Sequence, residues 1–519
     1  MSRAPLYLTA LALALVIPVW AAAQDTERGE RLYETWCAGC HGVEGRGDGD
    51  AAAYMLPRPR DFTLGLYQIR TTASGELPTD ADLIRVIKEG MPGTAMPGWR
   101  SKFNEAEIRD LVGHIKGFSR FFEQLGEPTP LALDDAAPRL SEEGLEEGRR
   151  YYEEIECFKC HGELGRGDGP SAPTLQDDLD FPIRAADLTE NWHFNGGGTT
   201  ADIYRTLRTG LDGSPMPSFS DLIEAGFMTD EQLWRVAQYV RSLSPEQRPR
   251  VREVIAASRI EAEVPSSSDD PVWDGVEPYY IPLVGQIIQE TRWFAPTVDG
   301  VWVQAVHDDR EMALRVVWHD PSHSPDPAWL EWQGWMARTM YPLEDSIAAD
   351  LLPDRLIVQF PATITGGRER PYFLMGDSRR PVYQWRWTSE PDGAVEMRAT
   401  GLGSQQPLSG EQSLEWNAVW DRGEWRVVFK RELAAAEAGI SPEFPLGEAL
   451  PIAFFAWDGS NGERGSRAAI SSWYNIYLEK PTPATVYVSP ALAALLTAGL
   501  GLLVVWRAQR RESAAEPQQ

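Results

Sequence analysis

The pattern C-x-x-C-H occurs twice, as Cys37-Ala38-Gly39-Cys40-His41 and Cys157-Phe158-Lys159-Cys160-His161, and the two units hold all four cysteines of the 519-residue chain. No cysteine is left for a disulfide framework. A lone C-x-x-C would suit zinc or a redox dithiol. A His directly after each pair, with no further Cys to complete a zinc set, points instead to covalent attachment of haem c. Two haems c are expected, with His41 and His161 as axial ligands.

The motifs stand 120 residues apart, and the likeness runs past them. Gly45-Arg46-Gly47-Asp48-Gly49 matches Gly165-Arg166-Gly167-Asp168-Gly169, Asp82-Leu83-Ile84-Arg85 matches Asp202-Ile203-Tyr204-Arg205, and Met96-Pro97 matches Met216-Pro217. The glycine-rich stretch reads as a tight loop beside the haem, where Gly supplies positive φ. It lacks the Lys-Ser/Thr of a phosphate loop. Each copy reads as helical. Glu30–Thr35 and Gly148–Ile155 lead into the motifs, and short helices are expected at Ala81–Glu89 and Ala201–Thr209. In the closing helices Ile108, Leu111, Val112 and Ile115, and Leu233, Val236, Ala237 and Val240, form one apolar stripe each. Polar, Pro-rich joints follow each copy, at Glu127–Pro138 and Pro265–Pro271.

Over about residues 27–245 the chain resembles class I cytochrome c in its order of N-terminal helix, haem motif, methionine loop and closing helix. The resemblance implies a sixth iron ligand from a Met before Pro in a Gly/Pro-rich loop, hence Met96 and Met216. Met fills the site and raises the potential. Met91 has no aligned partner, and Met55 and Met228 read as core or surface. His114 and His193 are alternative ligands, but His114 aligns with Tyr239 on the closing helix, which favours packing. A dihaem peroxidase would want two unlike sites, whereas these match Met for Met.

Both chain ends are apolar. Leu6–Trp20 behind Arg3, followed by Ala21-Ala22-Ala23, reads as a signal peptide over 1–23, too short to span a bilayer. Val486–Trp506 is free of charge and long enough to cross, with Arg507, Arg510 and Arg511 behind it in a tail 507–519 expected on the cytoplasmic side. The bulk of the chain is therefore expected in the periplasm or otherwise outside the cytoplasm, anchored in membrane lipid. The balance of 49 Lys+Arg against 77 Asp+Glu, net −28, argues against a nucleic-acid partner.

From 271 to 480 the pattern changes to alternating runs such as Val301–Val306, Met312–Trp318, Arg355–Phe360, Tyr383–Trp387 and Trp425–Phe429, an all-β sandwich pattern. Fifteen of the 20 Trp lie after residue 270. The order of Gln304-Ala305-Val306-His307-Asp308, Val317-Trp318-His319-Asp320, Asp354–Pro361, Tyr372–Asp377, Pro381–Trp387 and Trp425–Arg431 resembles the haem-binding domain of ethylbenzene dehydrogenase. Gamma subunits of dimethyl sulfide dehydrogenase, chlorate and selenate reductases and nitrite oxidoreductase are similar. The resemblance implies one haem b held between Met and Lys, and electrons arriving from a molybdopterin subunit through an iron–sulfur subunit. Met375, at the Met-Gly turn, and Lys430 are the candidates. Only Lys430 and Lys480 occur in this region of an Arg-rich chain, and a buried Lys can lose its proton whereas Arg cannot. His307, His319 and His323 are competing ligands. Family gamma subunits often lack attached c-type domains and a tail anchor. A carbohydrate-binding sandwich is the alternative for this region.

The expected chain is multidomain: two all-α cytochrome c domains (24–126 and 141–248), one all-β sandwich (271–480) and one C-terminal transmembrane helix (486–506). Its expected role is electron transfer without substrate chemistry of its own, as the gamma-type subunit of a molybdopterin oxidoreductase, with another soluble or membrane cytochrome as redox partner. The second reading is a free-standing dihaem cytochrome c with a binding module.

Overall fold

The computed structural model describes residues 25–126, 128–133, 137–340, 350–364, 370–409, 413–435, 441–480 and 485–513. The expected signal peptide lies outside them. The chain forms two compact units: the described residues up to Arg139 with Trp192–Ala237, and Leu140–Asn191 with the described residues from Gln238 on. The second repeat thus contributes to both units, a division its sequence likeness to the first did not foretell.

In the first unit, helix Thr26–Trp36 starts at Asp25, whose side chain accepts from Arg28 N, and helix Glu105–Lys116 starts at a capping box of Asn104 and Glu107. The two helices cross where Gly29 lies so close to Asp110 that a Cβ would stand 2.3 Å from its carbonyl oxygen. The expected stripe of Ile108, Leu111, Val112 and Ile115 is buried against Tyr33, Leu83 and Ile87. Helices Asp80–Glu89 and Thr200–Thr209 both begin with a Thr–Asp capping box, at Thr79/Asp82 and Thr199/Asp202. The buried Arg70 guanidinium donates to Thr209 O at 2.7 Å and pairs with Asp212 at 2.7 Å, and Asp212 also accepts from Ser74 Oγ and Gly75 N.

In the second unit, helix Glu142–Glu154 carries Tyr152 into the second haem motif. The rest is β-sheet-rich, with fourteen strands among the described residues. The main path runs Glu415–Trp420, Glu424–Glu432, Glu311–His319, Gly300–His307, Val254–Arg259, Tyr474–Leu478, Ala449–Trp457, Arg355–Pro361, Val382–Thr388, Ala394–Ala399 and Gln406–Pro407. Neighbours are antiparallel except at Val254–Arg259, which runs parallel to both its partners. That strand joins the two halves of the sheet and lies before residue 271, so the β-region begins earlier than the pattern suggested. Its six residues are short and precede a polar stretch, which hid it.

Period-two alternation decides what each strand buries. Val427, Phe429, Leu314 and Val316 from one half meet Leu356, Val358, Trp385 and Phe454 from the other in a shared core. Ring contacts cross it, Trp318 with Trp387 at 5.8 Å and Phe429 with Trp385 at 5.7 Å. The Trp-rich stretch forms helix Leu330–Met340, with Trp332 and Met336 buried. Beyond the sheet, helix Thr485–Ser513 is the single helix among the described residues long and apolar enough to cross a membrane, and its apolar side chains are exposed on all sides.

Candidate functional site: two haem-attachment loops

Each C-x-x-C-H motif folds as one helical turn, Ala38–His41 and Phe158–His161. Positions i, i+3 and i+4 of a helical turn share one face, which puts the two cysteines and the His of each motif on the same side. Burial pushes the Cys37 and Cys157 thiols up to about 12, so neither is a ready thiolate on its own.

The two imidazoles are held alike. His41 Nδ1 lies 3.1 Å from Arg60 O, and His161 Nδ1 lies 2.9 Å from Ala186 O. A carbonyl only accepts, so Nδ1 carries the proton and Nε2 keeps its lone pair for iron. Burial lowers the pKa of both histidines, which favours that neutral form. His41 also stacks on Phe62 at 4.5 Å.

Around each motif the backbone is over-determined. Tyr33 OH donates to Gly42 O at 2.8 Å, and Tyr152 OH donates to Gly162 O at 2.7 Å. Gly42, Gly45 and Gly47, and Gly162, Gly165 and Gly167, all have positive φ, as the tight-loop reading expects. After the loop, Asp61 Oδ1 accepts from Thr63 N and Oγ1 at 2.8 and 2.6 Å, and Asp187 Oδ1 accepts from Thr189 N and Oγ1 at the same distances. These turns set the carbonyls of Arg60 and Ala186. The 120-residue offset fails here, since the carbonyl follows its His by 19 residues in one copy and 25 in the other. Sequence reasoning missed Tyr33, Tyr152 and the two carbonyls. The repeated Asp-x-Thr after them was the available signal.

The methionine loops match residue for residue. Met91 N donates to Met96 O at 3.0 Å and Leu211 N donates to Met216 O at 3.1 Å, so Leu211 stands in the place of Met91. Met96 N and Met216 N are held by Thr94 Oγ1 and Ser214 Oγ. His114 packs on Tyr33 at 5.1 Å and on Phe118 at 4.9 Å, as Tyr239 packs on Tyr152 at 5.5 Å. That is the packing role the alignment suggested. In the first copy Tyr67 OH and Trp99 Nε1 are buried donors without a hydrogen-bond partner among the described residues. Such donors fit a bound group that brings its own acceptors, as haem does with its propionates. Haem bound here would supply one-electron chemistry at its iron, with His41 and His161 oriented toward it by the chain.

Met375 and Lys430 are not brought together. Met375 is fully buried, has positive φ, and packs with Ile357, Val382 and Phe455 on the outward face of one half-sheet. Its sulfur lies 2.8 Å from Gln405 Nε2. Lys430 points outward from the other half-sheet, between Glu311 at 3.4 Å and Glu415 at 4.0 Å. The shared core lies between the two. The structure thus does not bring the expected haem b ligands Met375 and Lys430 together. His307 is buried in its strand, His323 packs on Trp420 and Trp425, and His319 pairs with Asp187.

Paired thiols on a helical turn before a backbone-fixed His with a free Nε2, twice in one chain, define a c-type cytochrome. Residues 24–115 match the profile of cbb3-type cytochrome c oxidase subunit III, and residues 145–244 that of cytochrome c. Cytochrome c55X of Paracoccus denitrificans is 36% identical over 117 residues, 22% of this chain and 94% of that protein. The chain belongs to the cytochrome c family. ORF7 of Haloferax mediterranei, assigned as a respiratory nitrate reductase heme subunit, is 23% identical over 260 residues, 50% of this chain and 85% of that protein. Chlorate reductase subunit gamma of Ideonella dechloratans is 31% identical over 150 residues, 28% of this chain and 57% of its own length. Among solved structures, the Kuenenia stuttgartiensis reducing HAO-like complex Kustc0457/Kustc0458 has a chain 44% identical, covering 42% of this chain and 96% of its own, at TM-score 0.40.

Proposed function

We propose that this chain is the electron-transfer subunit of an extracytoplasmic molybdopterin oxidoreductase, with no substrate chemistry of its own. Two haems c are its carriers, one held by Cys37, Cys40, His41 and Met96, the other by Cys157, Cys160, His161 and Met216. The observation that carries the reading is the paired fixing of His41 and His161 through Nδ1, which leaves two equivalent axial donors. Asp212, in the second methionine loop, bonds Ser74 and Gly75 of the first copy. This supports passage of electrons between the copies. The gamma-type role is supported by two relatives, one a nitrate reductase heme subunit by name and the other a chlorate reductase subunit gamma. The β-region, read as a sandwich, would dock the catalytic or iron–sulfur subunit, and helix 486–506 would tether the assembly to the outer side of a membrane.

A haem b in the β-region remains part of the proposal through the family resemblance alone, without assigned ligands. The experiment is purification of the native complex from membranes, with identification of co-purifying subunits and stopped-flow reduction of the haems by its substrate. Reduction through a molybdenum-containing partner supports the reading. Recovery of the chain alone favours the free-standing dihaem cytochrome.

A further inference from the structure

Three strand ends of the β-region converge on three buried aspartates. Asp320 follows strand Glu311–His319, Asp354 precedes Arg355–Pro361, and Asp458 follows Ala449–Trp457. Each is no more than 1% exposed, and one carboxylate oxygen from each lies within 4.8 Å of the other two. Burying one carboxylate is costly, and three at that distance repel one another strongly at low dielectric.

The hydrogen bonds of the cluster are incomplete in one direction. Asp354 is satisfied, since Oδ1 accepts from Gly459 N at 2.9 Å and Oδ2 from Ser324 N at 2.8 Å and Trp425 Nε1 at 3.0 Å. Asp320 and Asp458 each use one oxygen, accepting from Ser322 N and Ser460 N. Asp320 Oδ2 and Asp458 Oδ2 are buried and accept nothing among the described residues, and the buried Ser460 hydroxyl is also unpartnered. The Trp318 indole lies close enough to Asp320 to favour its carboxylate as a donor, yet Trp318 Nε1 and Asp320 Oδ2 fall outside hydrogen-bond geometry.

Neighbouring Glu463 is the contrast. It is equally buried, yet its oxygens accept from Trp293 Nε1, Thr297 N, Asn461 Nδ2 and Asp458 N. A native core that satisfies Glu463 so fully does not leave two aspartate oxygens idle by accident. The Arg184 guanidinium, which interacts with Asp458 and Asp320, gives hydrogen bonds to Pro296 O at 3.1 Å and Ala295 O at 3.5 Å. It neutralises part of the charge and bonds none of the three aspartates.

We propose that Asp320, Asp354 and Asp458 bind one hard divalent cation, calcium in an extracytoplasmic setting, as a structural site that clamps the three strand ends together. Carboxylates with a nearby hydroxyl form an all-oxygen donor set, which suits calcium over zinc or copper. The site lies apart from the haem motifs in sequence and needs none of their chemistry.

The test uses the full chain with both haems attached. Calcium content is measured per chain before and after chelation, calcium is titrated back by calorimetry, and melting is followed in both states. One calcium per chain and a melting temperature that rises with calcium are expected. Asp458→Asn should abolish the calcium-dependent shift. In the chelated protein the same variant should melt at or above the wild type, because it removes one of three repelling charges. If Asp458→Asn does not fold, Asp320→Asn is read the same way. A chelated wild type that takes up neither calcium, magnesium nor manganese, with unchanged melting, overturns the proposal and leaves a protonated acid cluster.

Discussion

His319 Nδ1 lies 2.5 Å from Asp187 Oδ2, joining the end of a β-strand to the turn that sets the carbonyl behind His161. Glu190 and Glu424 face the same imidazole at 4.0 and 3.8 Å, and Arg166 pairs with Glu424 at 2.9 Å. Burial opposes the charge on His319, but Asp187 outweighs it and the pKa rises to about 9. A folded value above the unfolded value of about 6.5 adds stability that is full below about pH 6.5 and lost as pH rises through about 9. The shift corresponds to at most about 3 kcal/mol. Melting measured from about pH 6 to pH 10 should fall more steeply in wild type than in His319→Gln, and equal slopes would refute the coupling.

Mass spectrometry of the exported chain should show two haem additions, both resistant to acid-acetone. Cys160→Ala should reduce attachment at the second motif and leave the first loaded. Loss of both haems in that variant would mean the copies do not mature independently.

Met96→Ala and Met216→Ala should each remove about half of the near-infrared methionine–iron band and lower one of two midpoint potentials, because Met ligation raises the potential. Spectroelectrochemistry reads both at once. An unchanged spectrum in Met96→Ala would move the role to Met91.

Position by position, the loop glycines differ in what they tolerate. A Cβ on Gly42 would stand 2.0 Å from Asp48 Oδ1, and one on Gly162 would stand 1.7 Å from Asp168 Oδ1, both at positive φ. Gly42→Ala and Gly162→Ala should each cost about 1–3 kcal/mol. Gly39→Ala inside the first motif meets nothing within 4 Å and lies in a helical turn, so it should be neutral or slightly stabilising. Chemical denaturation followed by haem absorbance ranks the three.

A chain ending at Lys480 should leave the membrane fraction if the apolar helix beyond it is the anchor. If fractionation finds it still membrane-bound, a partner or another segment holds it.

Covalent chemistry was the most legible part of the sequence. C-x-x-C-H and Met-Pro are contiguous patterns, and the amphipathic stripes around Leu111 and Val236 show directly which faces are buried. The carbonyls of Arg60 and Ala186 were not legible, because a carbonyl carries no residue identity and a loop of changed length moved one of them out of register. Met375 and Lys430 illustrate the converse limit. Alternation places Lys430 on the outer face of its strand, but which half-sheet that face and the Met375 turn belong to depends on long-range pairing. Asp320 and Asp354 stood within recognised stretches, and Asp458, more than 100 residues on, gave no sign of meeting them.

The segment between His161 and its backing carbonyl is longer than its counterpart after His41. The longer segment contains Arg184, whose guanidinium reaches the carbonyls of Ala295 and Pro296 and lies over the Trp332 ring. The two copies hold their histidines alike, and the longer loop ties one of them to the β-region. A gene in which the second repeat is replaced by a copy of the first should still yield a protein with two haems. It would have lost the arm that grips the β-region, so the repeats are redundant as chemistry and irreplaceable as architecture.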